Sequence, residues 1–166
     1  MITQTRATLD RDLNAVQDDL LRMGGLLDTA IVKSLEALAK RDQNLARQIV
    51  ADDAQVNALR FHIEEACIAL IATQQPAARD LRAVLAAMII VSELERMGDY
   101  AAGIAKTVLR MGDEPLLKPL IDLPRMADEC RTMVRRALDA YVAHDAEMAR
   151  AVAARDDVID NRLYPK

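Results

Sequence analysis

The fold is decided by residues 90–108, which read IVSELERMGDYAAGIAKTV. Apolar residues recur in this stretch at spacings of three and four, so they share one face of an α-helix: Ile90, Leu94, Met97, Ala101, Ile104 and Val108. At about 100° per residue, the opposite face carries Met88, Ser92, Glu95, Asp99, Ala102 and Lys106. The stretch therefore predicts an amphipathic helix that buries its apolar face and presents Glu95 and Asp99 to solvent.

The two carboxylates are the chemical feature of this helix. Glu95 and Asp99 are one turn apart, which places their Cβ atoms about 5–6 Å from each other. Like charges at this separation repel unless a cation or a basic side chain lies between them, so a surface metal site is chemically reasonable. An ordinary solvated face, with Arg96 or Lys106 offsetting the charge, is the alternative. Two carboxylates cannot complete a metal shell, so other helices or water would have to contribute.

Helical periodicity continues on both sides of this stretch. Apolar spacing predicts a first helix over residues 9–40. A second helix follows the N-cap Asp42 and ends before Pro76. A third runs from Pro76 to about residue 111, where Gly112 supplies a cap. Three prolines then mark residues 113–124 as a linker. Two further helices are predicted over residues 124–143 and 145–163. The resulting organisation is a first three-helix bundle at 1–112, a Pro-rich linker at 113–124, and two helices of a second bundle at 125–166.

The last two predicted helices resemble the first two when the chain is shifted by about 100 residues. Matched pairs include Asp42 with Asp145 and Asp53 with Asp156, which favours a duplication. Chance agreement between Ala-rich helices is the alternative. The pair Gly24-Gly25 in the first helix predicts either a kink or the close approach of another helix.

Composition narrows the class of function. The chain has 166 residues, is 52% hydrophobic and has a net charge of -4, so it lacks the basic face that a nucleic-acid binder needs. Cys67 and Cys130 are far apart and no signal peptide precedes them, which indicates a reducing, cytoplasmic compartment. His62 and His144 do not form a Glu-x-x-His pair, and no phosphate-binding Gly-rich loop or nucleophile motif occurs. The sequence therefore predicts no enzyme and no catalytic residues.

Two motifs resemble the PhoU family of phosphate-transport regulators. They are Gln75–Arg82, which reads QPAARDLR, and Ser92–Ala101, which reads SELERMGDYA. The resemblance implies an all-α fold of two related three-helix bundles, the second of which lacks its last helix in this chain. It also implies that Glu95 and Asp99 are ligands of a surface iron or zinc cluster. Gly103 stands where the family frequently has Asn.

The same resemblance implies a role as a regulatory adaptor. We expect a negative regulator of the phosphate-starvation response that contacts a phosphate-specific ABC transporter and its sensor histidine kinase. It would reach the inner face of the plasma membrane only through these partners. A generic helical scaffold is the main alternative, and a small all-α enzyme that uses the charges of Arg79, Asp80 and Arg82 is a weaker one.

A bundle without its last helix has a further consequence. We expect an uncovered apolar groove, and hence a homodimer or poor solubility, along Leu138, Tyr141, Met148, Val152 and Ile159.

Overall fold

A computed structural model describes residues 2–156 of the chain. These residues form five helices and no strand: α1 (Ile2–Lys40), α2 (Gln43–Gln74), α3 (Ala78–Met111), α4 (Asp122–Ala143) and α5 (Ala146–Ala153). The first three helices pack against one another in every pairwise combination, α4 packs on α1, and α5 packs on α4. The all-α prediction is confirmed. Within the described range, no helix is long and apolar enough to cross a membrane.

The predicted ends of α2 and α3 agree with the structure, whereas α1 begins at Ile2 and not at residue 9, α5 ends already at Ala153, and the start of α4 differs near Pro124. The Asp42 carboxylate caps α2 by accepting hydrogen bonds from the backbone N–H groups of Asn44 and Leu45, at 2.9 and 3.0 Å. Gly112 ends α3 with a positive φ of 58°. Helix α4 begins at Asp122, so Pro124 lies in its first turn and not in the linker. Proline is tolerated there because the first N–H groups of a helix have no partner within the helix. The predicted end of the last helix at residue 163 lies outside the described residues.

The apolar stripes of α1 and α2 form the core as predicted. Val16, Leu20, Met23 and Leu27 of α1 are at most 2% exposed. They pack against buried residues of the second helix, among them Val56, Leu59, Ile63, Cys67 and Leu70. Each such side chain contributes about 1.5–3 kcal/mol to folding through its burial. Tertiary packing therefore holds these long helices together.

The buried face of α3 is rotated from the predicted one by part of a turn. Leu94, Ala101 and Val108 are buried as predicted, but Ile90, Met97 and Ile104 are only partly buried. The remaining buried positions are largely small or β-branched: Val84, Ala87, Val91, Gly98, Ala102 and Ala105. Ala102, predicted to be exposed, is 2% exposed. Gly98 lies against α2, where an added Cβ would be 3.3 Å from Val56 Cγ1. Small residues bring the helices close together, so the face with the fewest large side chains is buried.

Helix α4 packs against Gly24 of α1 but leaves Gly25 exposed. An added Cβ on Gly24 would be only 2.4 Å from Leu138 Cδ1, whereas one on Gly25 would meet nothing within 4 Å. The predicted close approach is therefore confirmed at Gly24. Beside this contact, Asp28 accepts two hydrogen bonds from Arg131, at 2.7 and 2.9 Å. This guanidinium lowers the pKa of the Asp28 carboxyl below its ordinary value.

The prediction of an exposed apolar groove along α4 and α5 is wrong for its described members. Leu138 is 5% and Val152 is 7% exposed. The Tyr141 hydroxyl donates a hydrogen bond to the Ala83 carbonyl of α3, at 3.0 Å. Burial raises the pKa of Tyr141 to about 12. Helices of the first bundle cover Leu138 and Tyr141, whereas Val152 belongs to α5, which packs on α4. Ile159 lies outside the described residues.

The turns α1–α2 and α4–α5 have the same geometry. Arg41 and His144 occupy equivalent left-handed positions, with φ of 56° and 52°. Each is followed by an aspartate whose side chain caps the next helix, Asp42 for α2 and Asp145 for α5. The backbone N–H groups of these aspartates donate to Ala37 and Ala140, both at 2.9 Å. This correspondence agrees with the predicted repeat at the level of hydrogen bonds.

Candidate functional site

Glu95 faces α2 and is held by a basic side chain. Its carboxylate accepts a hydrogen bond from Arg60 Nη1 at 3.1 Å, and only 16% of the Glu95 side chain is exposed. Arg60 also donates to Glu64 of its own helix, at 2.9 Å. The Glu95 charge is thus offset by Arg60 and not by Arg96 or Lys106, the residues proposed from the sequence. Arg96 pairs instead with Glu93, at 2.8 Å.

Asp99 is exposed, as predicted, and lies near a second acidic residue that the sequence reasoning did not select. Asp53 of α2 accepts a hydrogen bond from the Asn57 side-chain amide, at 3.1 Å. Burial, and then the negative charge of Asp99, raise the pKa of the Asp53 carboxyl, while Lys106 and Asn57 oppose this shift. The close carboxylate neighbour of Asp99 is therefore Asp53, and Glu95 points toward Arg60.

The side chains at this site do not fit a self-contained metal cluster. Within residues that the structure describes, no group of three or more His, Cys, Asp or Glu side chains is arranged to hold a metal ion. Asp53 and Asp99 supply two carboxylates, and Glu95 is occupied by Arg60. Iron and zinc sites in proteins need about four or more ligands, so further groups would be required.

Asp53 was missed because helix periodicity describes one helix at a time. The pairing of Asp53 with Asp99 depends on how α2 and α3 are rotated against each other. The signal in the sequence was Gly98, since a glycine within a helix costs about 1 kcal/mol and commonly marks the close approach of a neighbour. An added Cβ on Gly98 would be 3.6 Å from Asp53 Oδ1, so this glycine lies directly beside the missed carboxylate.

The histidines and cysteines take no part in this site. His62 is exposed and pairs with Asp19, at 3.3 Å. Cys67 is buried in the core, as predicted, and burial raises the pKa of its thiol to about 11. Cys130 is only partly buried. Asp80, one of the charges considered for an enzyme, accepts a hydrogen bond from Arg6, at 2.6 Å. The chemical groups of the site are therefore carboxylates on the α2–α3 face.

The fold and the site define an all-α bundle protein with an acidic face on its third helix. The PhoU domain family matches residues 20–108 and 123–164 of the chain. The chain therefore belongs to the PhoU family. Its membership confirms the resemblance of the motifs on α3.

Curated relatives and solved structures extend the match over almost the whole chain. A phosphate-specific transport system accessory protein PhoU homolog of Clostridium acetobutylicum is 37% identical over 98% of this chain and 74% of its own length. The homolog of Zymomonas mobilis is 40% identical over 98% of this chain and 68% of its own length. The crystal structure of the phosphate transport system regulatory protein PhoU from Streptococcus pneumoniae superposes with a TM-score of 0.85 at 34% identity, covering 95% of this chain and 74% of that one. PhoU from Pseudomonas aeruginosa gives a TM-score of 0.84 at 33% identity, covering 92% of this chain and 73% of that one.

Proposed function

We propose that this protein is a regulatory adaptor of phosphate transport that represses the phosphate-starvation response. The observation that carries the proposal is its membership in a family whose relatives bear the name of phosphate-specific transport system accessory proteins. That name describes accessory proteins and not enzymes. The adaptor acts by contact and carries out no reaction of its own.

The partners in this proposal are a phosphate-specific ABC transporter and its sensor histidine kinase. The protein works in the cytoplasm and reaches the inner face of the plasma membrane through these partners. The expected homodimer stays a prediction, since the groove from which it was inferred is covered at Leu138 and Val152. A net charge of -4 and the exposed carboxylate of Asp99 favour basic partner surfaces over nucleic acid. Electrostatic complementarity would increase the rate of association and help to select the partner.

The docking surface in this proposal includes the part of α3 around Asp99. Asp99 is exposed, and its neighbour Tyr100 is 67% exposed. Tyrosine is enriched at protein interfaces, and an exposed charge at the rim of an interface helps to select a partner of opposite charge. Glu95 contributes less directly, because Arg60 already holds its carboxylate. We therefore expect substitution of Asp99 to weaken partner binding more than substitution of Glu95.

The test is a pulldown of transporter and kinase with Asp99→Ala, Glu95→Ala and the double variant. A phosphate-responsive reporter in a deletion strain complemented with each variant provides the physiological measurement. We expect the double variant to retain less partner and to derepress the reporter at high phosphate. Asp18→Ala/Glu114→Ala is the matched control, since it also removes two exposed acidic side chains. Unchanged binding and repression in the double variant would remove the α3 face from the mechanism.

The role of Glu95 and Asp99 as iron or zinc ligands stays a prediction, and the same variants test it. Metal analysis of the purified protein and of Glu95→Ala/Asp99→Ala gives the answer directly. Stoichiometric metal that is lost in the double variant would support the cluster. A metal-free protein with normal repression would show that the adaptor works without it. Normal phosphate regulation in the deletion strain would instead favour the generic scaffold.

A further inference from the structure

Three basic side chains from distant parts of the chain line one surface cleft. Arg79 and Arg82 lie in the first turns of α3, and His144 is the first of the two residues between α4 and α5. All three line a cleft of about 680 Å³, whose other lining residues are mostly apolar, Ala83 and Tyr141 among them, and include one carboxylate, Asp145. Arg79 and His144 also line a neighbouring polar pocket of about 340 Å³. The hydrogen bond from Tyr141 to Ala83 joins the two elements at this point and sets the position of His144 relative to α3.

The arginines in this cleft are available, whereas the nearby acidic groups are occupied. Asp10 and Asp80 both pair with Arg6, at 2.8 and 2.6 Å. Asp145 accepts a hydrogen bond from the Met148 backbone N–H, at 2.9 Å, as the cap of α5. Across residues 2–156, neither Arg79 nor Arg82 forms a salt bridge or a side-chain hydrogen bond. The positive charges of Arg79 and Arg82 therefore have no side-chain partner among the described residues of this cleft.

The start of α3 adds to the same electrostatic field. Ala77 occupies the N-cap position and provides no side-chain hydrogen bond to the first turn. The N-terminus of a helix carries a partial positive charge and free N–H groups, which favour anions. Arg79 and Arg82 are three residues apart, a spacing that brings side chains together on one side of a helix. Guanidinium groups bind phosphate and carboxylate oxygens through two parallel hydrogen bonds.

We propose that the cleft of Arg79, Arg82 and His144 binds a phosphate oxyanion. The anion is either free inorganic phosphate or the phosphate group of a nucleotide, and the cleft volume accommodates both. The arginines of the site lie in the first turns of α3, whereas Glu95 and Asp99 lie about three and a half helical turns or more beyond Arg82. It is therefore a separate site, and the proposal does not depend on the docking role of the acidic face.

The test is titration calorimetry with inorganic phosphate and, separately, with AMP and ATP, at an ionic strength held constant with chloride. We expect the wild-type protein to bind at least one of these probes. The double variant Arg79→Ala/Arg82→Ala should bind at least about tenfold more weakly, because charged hydrogen bonds are lost. Binding of inorganic phosphate identifies the free anion as the ligand, and binding of only AMP or ATP identifies a nucleotide. Either result supports the site.

Matched variants separate recognition from a general loss of charge. Arg125→Ala removes an exposed arginine at the start of α4 and should bind as the wild type does. Arg79→Lys/Arg82→Lys keeps the charge but not the paired hydrogen bonds, so it should recover only part of the affinity. Melting temperatures should change little, since both arginines are exposed and unpaired. The proposal is overturned if the wild type binds none of the probes, or if the double alanine variant binds them as tightly as Arg125→Ala does.

Discussion

Gly24 and Gly25 are adjacent in α1 but have different surroundings. We predict that Gly25→Ala raises the free energy of unfolding by about 0.5–1 kcal/mol, because alanine is the better helix former and nothing lies within 4 Å of the new Cβ. Gly24→Ala brings the same gain but places its Cβ 2.4 Å from Leu138 Cδ1. Displacing this buried side chain costs about 1–3 kcal/mol, so Gly24→Ala should be the less stable variant. Urea unfolding of the two variants measures the difference.

Each glycine variant serves as the control for the other, since the two changes are identical and one residue apart. The double variant Gly24→Ala/Leu138→Ala refines the comparison, because it removes the side chain that the new Cβ meets. If Gly24→Ala proved as stabilising as Gly25→Ala, the close contact between α1 and α4 would not exist in solution.

At the scale of the helices, the caps Asp42 and Asp145 define where α2 and α5 begin. We predict that Asp145→Ala lowers the free energy of unfolding by about 0.5–2 kcal/mol, because the Met148 N–H loses its acceptor. The loss of stability should be largest in the short helix α5, so amide hydrogen exchange in α5 should speed up more than exchange in the core of α2. Asp145→Asn keeps a capping oxygen and should be nearly neutral. Equal effects of Asn and Ala at this position would argue against the cap.

The example of α3 shows which features of a helix its sequence predicts and which features depend on the neighbouring helices. Spacing of apolar residues predicted the helix and its two ends, because the 3.6-residue period and the turn residues act locally. It misassigned Ala102, because burial of small residues depends on how closely neighbouring helices approach. Similarly, the pairing of Glu95 with Arg60 joins residues 35 positions apart, and no local pattern contains this information. The sequence therefore placed Glu95 and Asp99 on one helix, but their charge partners came only from the structure.

At the scale of the molecule, Leu138 connects α4 to the core formed by the first three helices. We predict that Leu138→Ala lowers the free energy of unfolding by about 2–5 kcal/mol, as for other buried leucines. Because this side chain belongs to the shared core, hydrogen exchange should speed up in α1 as well as in α4. Val142→Ala on the same helix, at a position that is 36% exposed, is the control and should have a small effect.

The opposite outcome for Leu138→Ala is equally informative. If α4 and α5 lost protection while the helices of residues 1–112 kept theirs, the two predicted bundles would unfold independently. Coincident urea transitions, followed by total helicity and by a probe placed on α4, would instead show one cooperative unit.

The two sides of α3 are under different constraints: the buried side must stay small for packing, whereas the exposed side need not. Gly98 lies against the Val56 side chain of α2, and Ala101 and Ala105 are at most 2% exposed, so enlarging these residues would push the bundle apart. Tyr100 and Lys106 on the outer side meet no such restriction. Mutations can therefore alter the exterior of α3 while its interior stays fixed, and this helix can acquire new binding specificities during evolution without loss of its architecture.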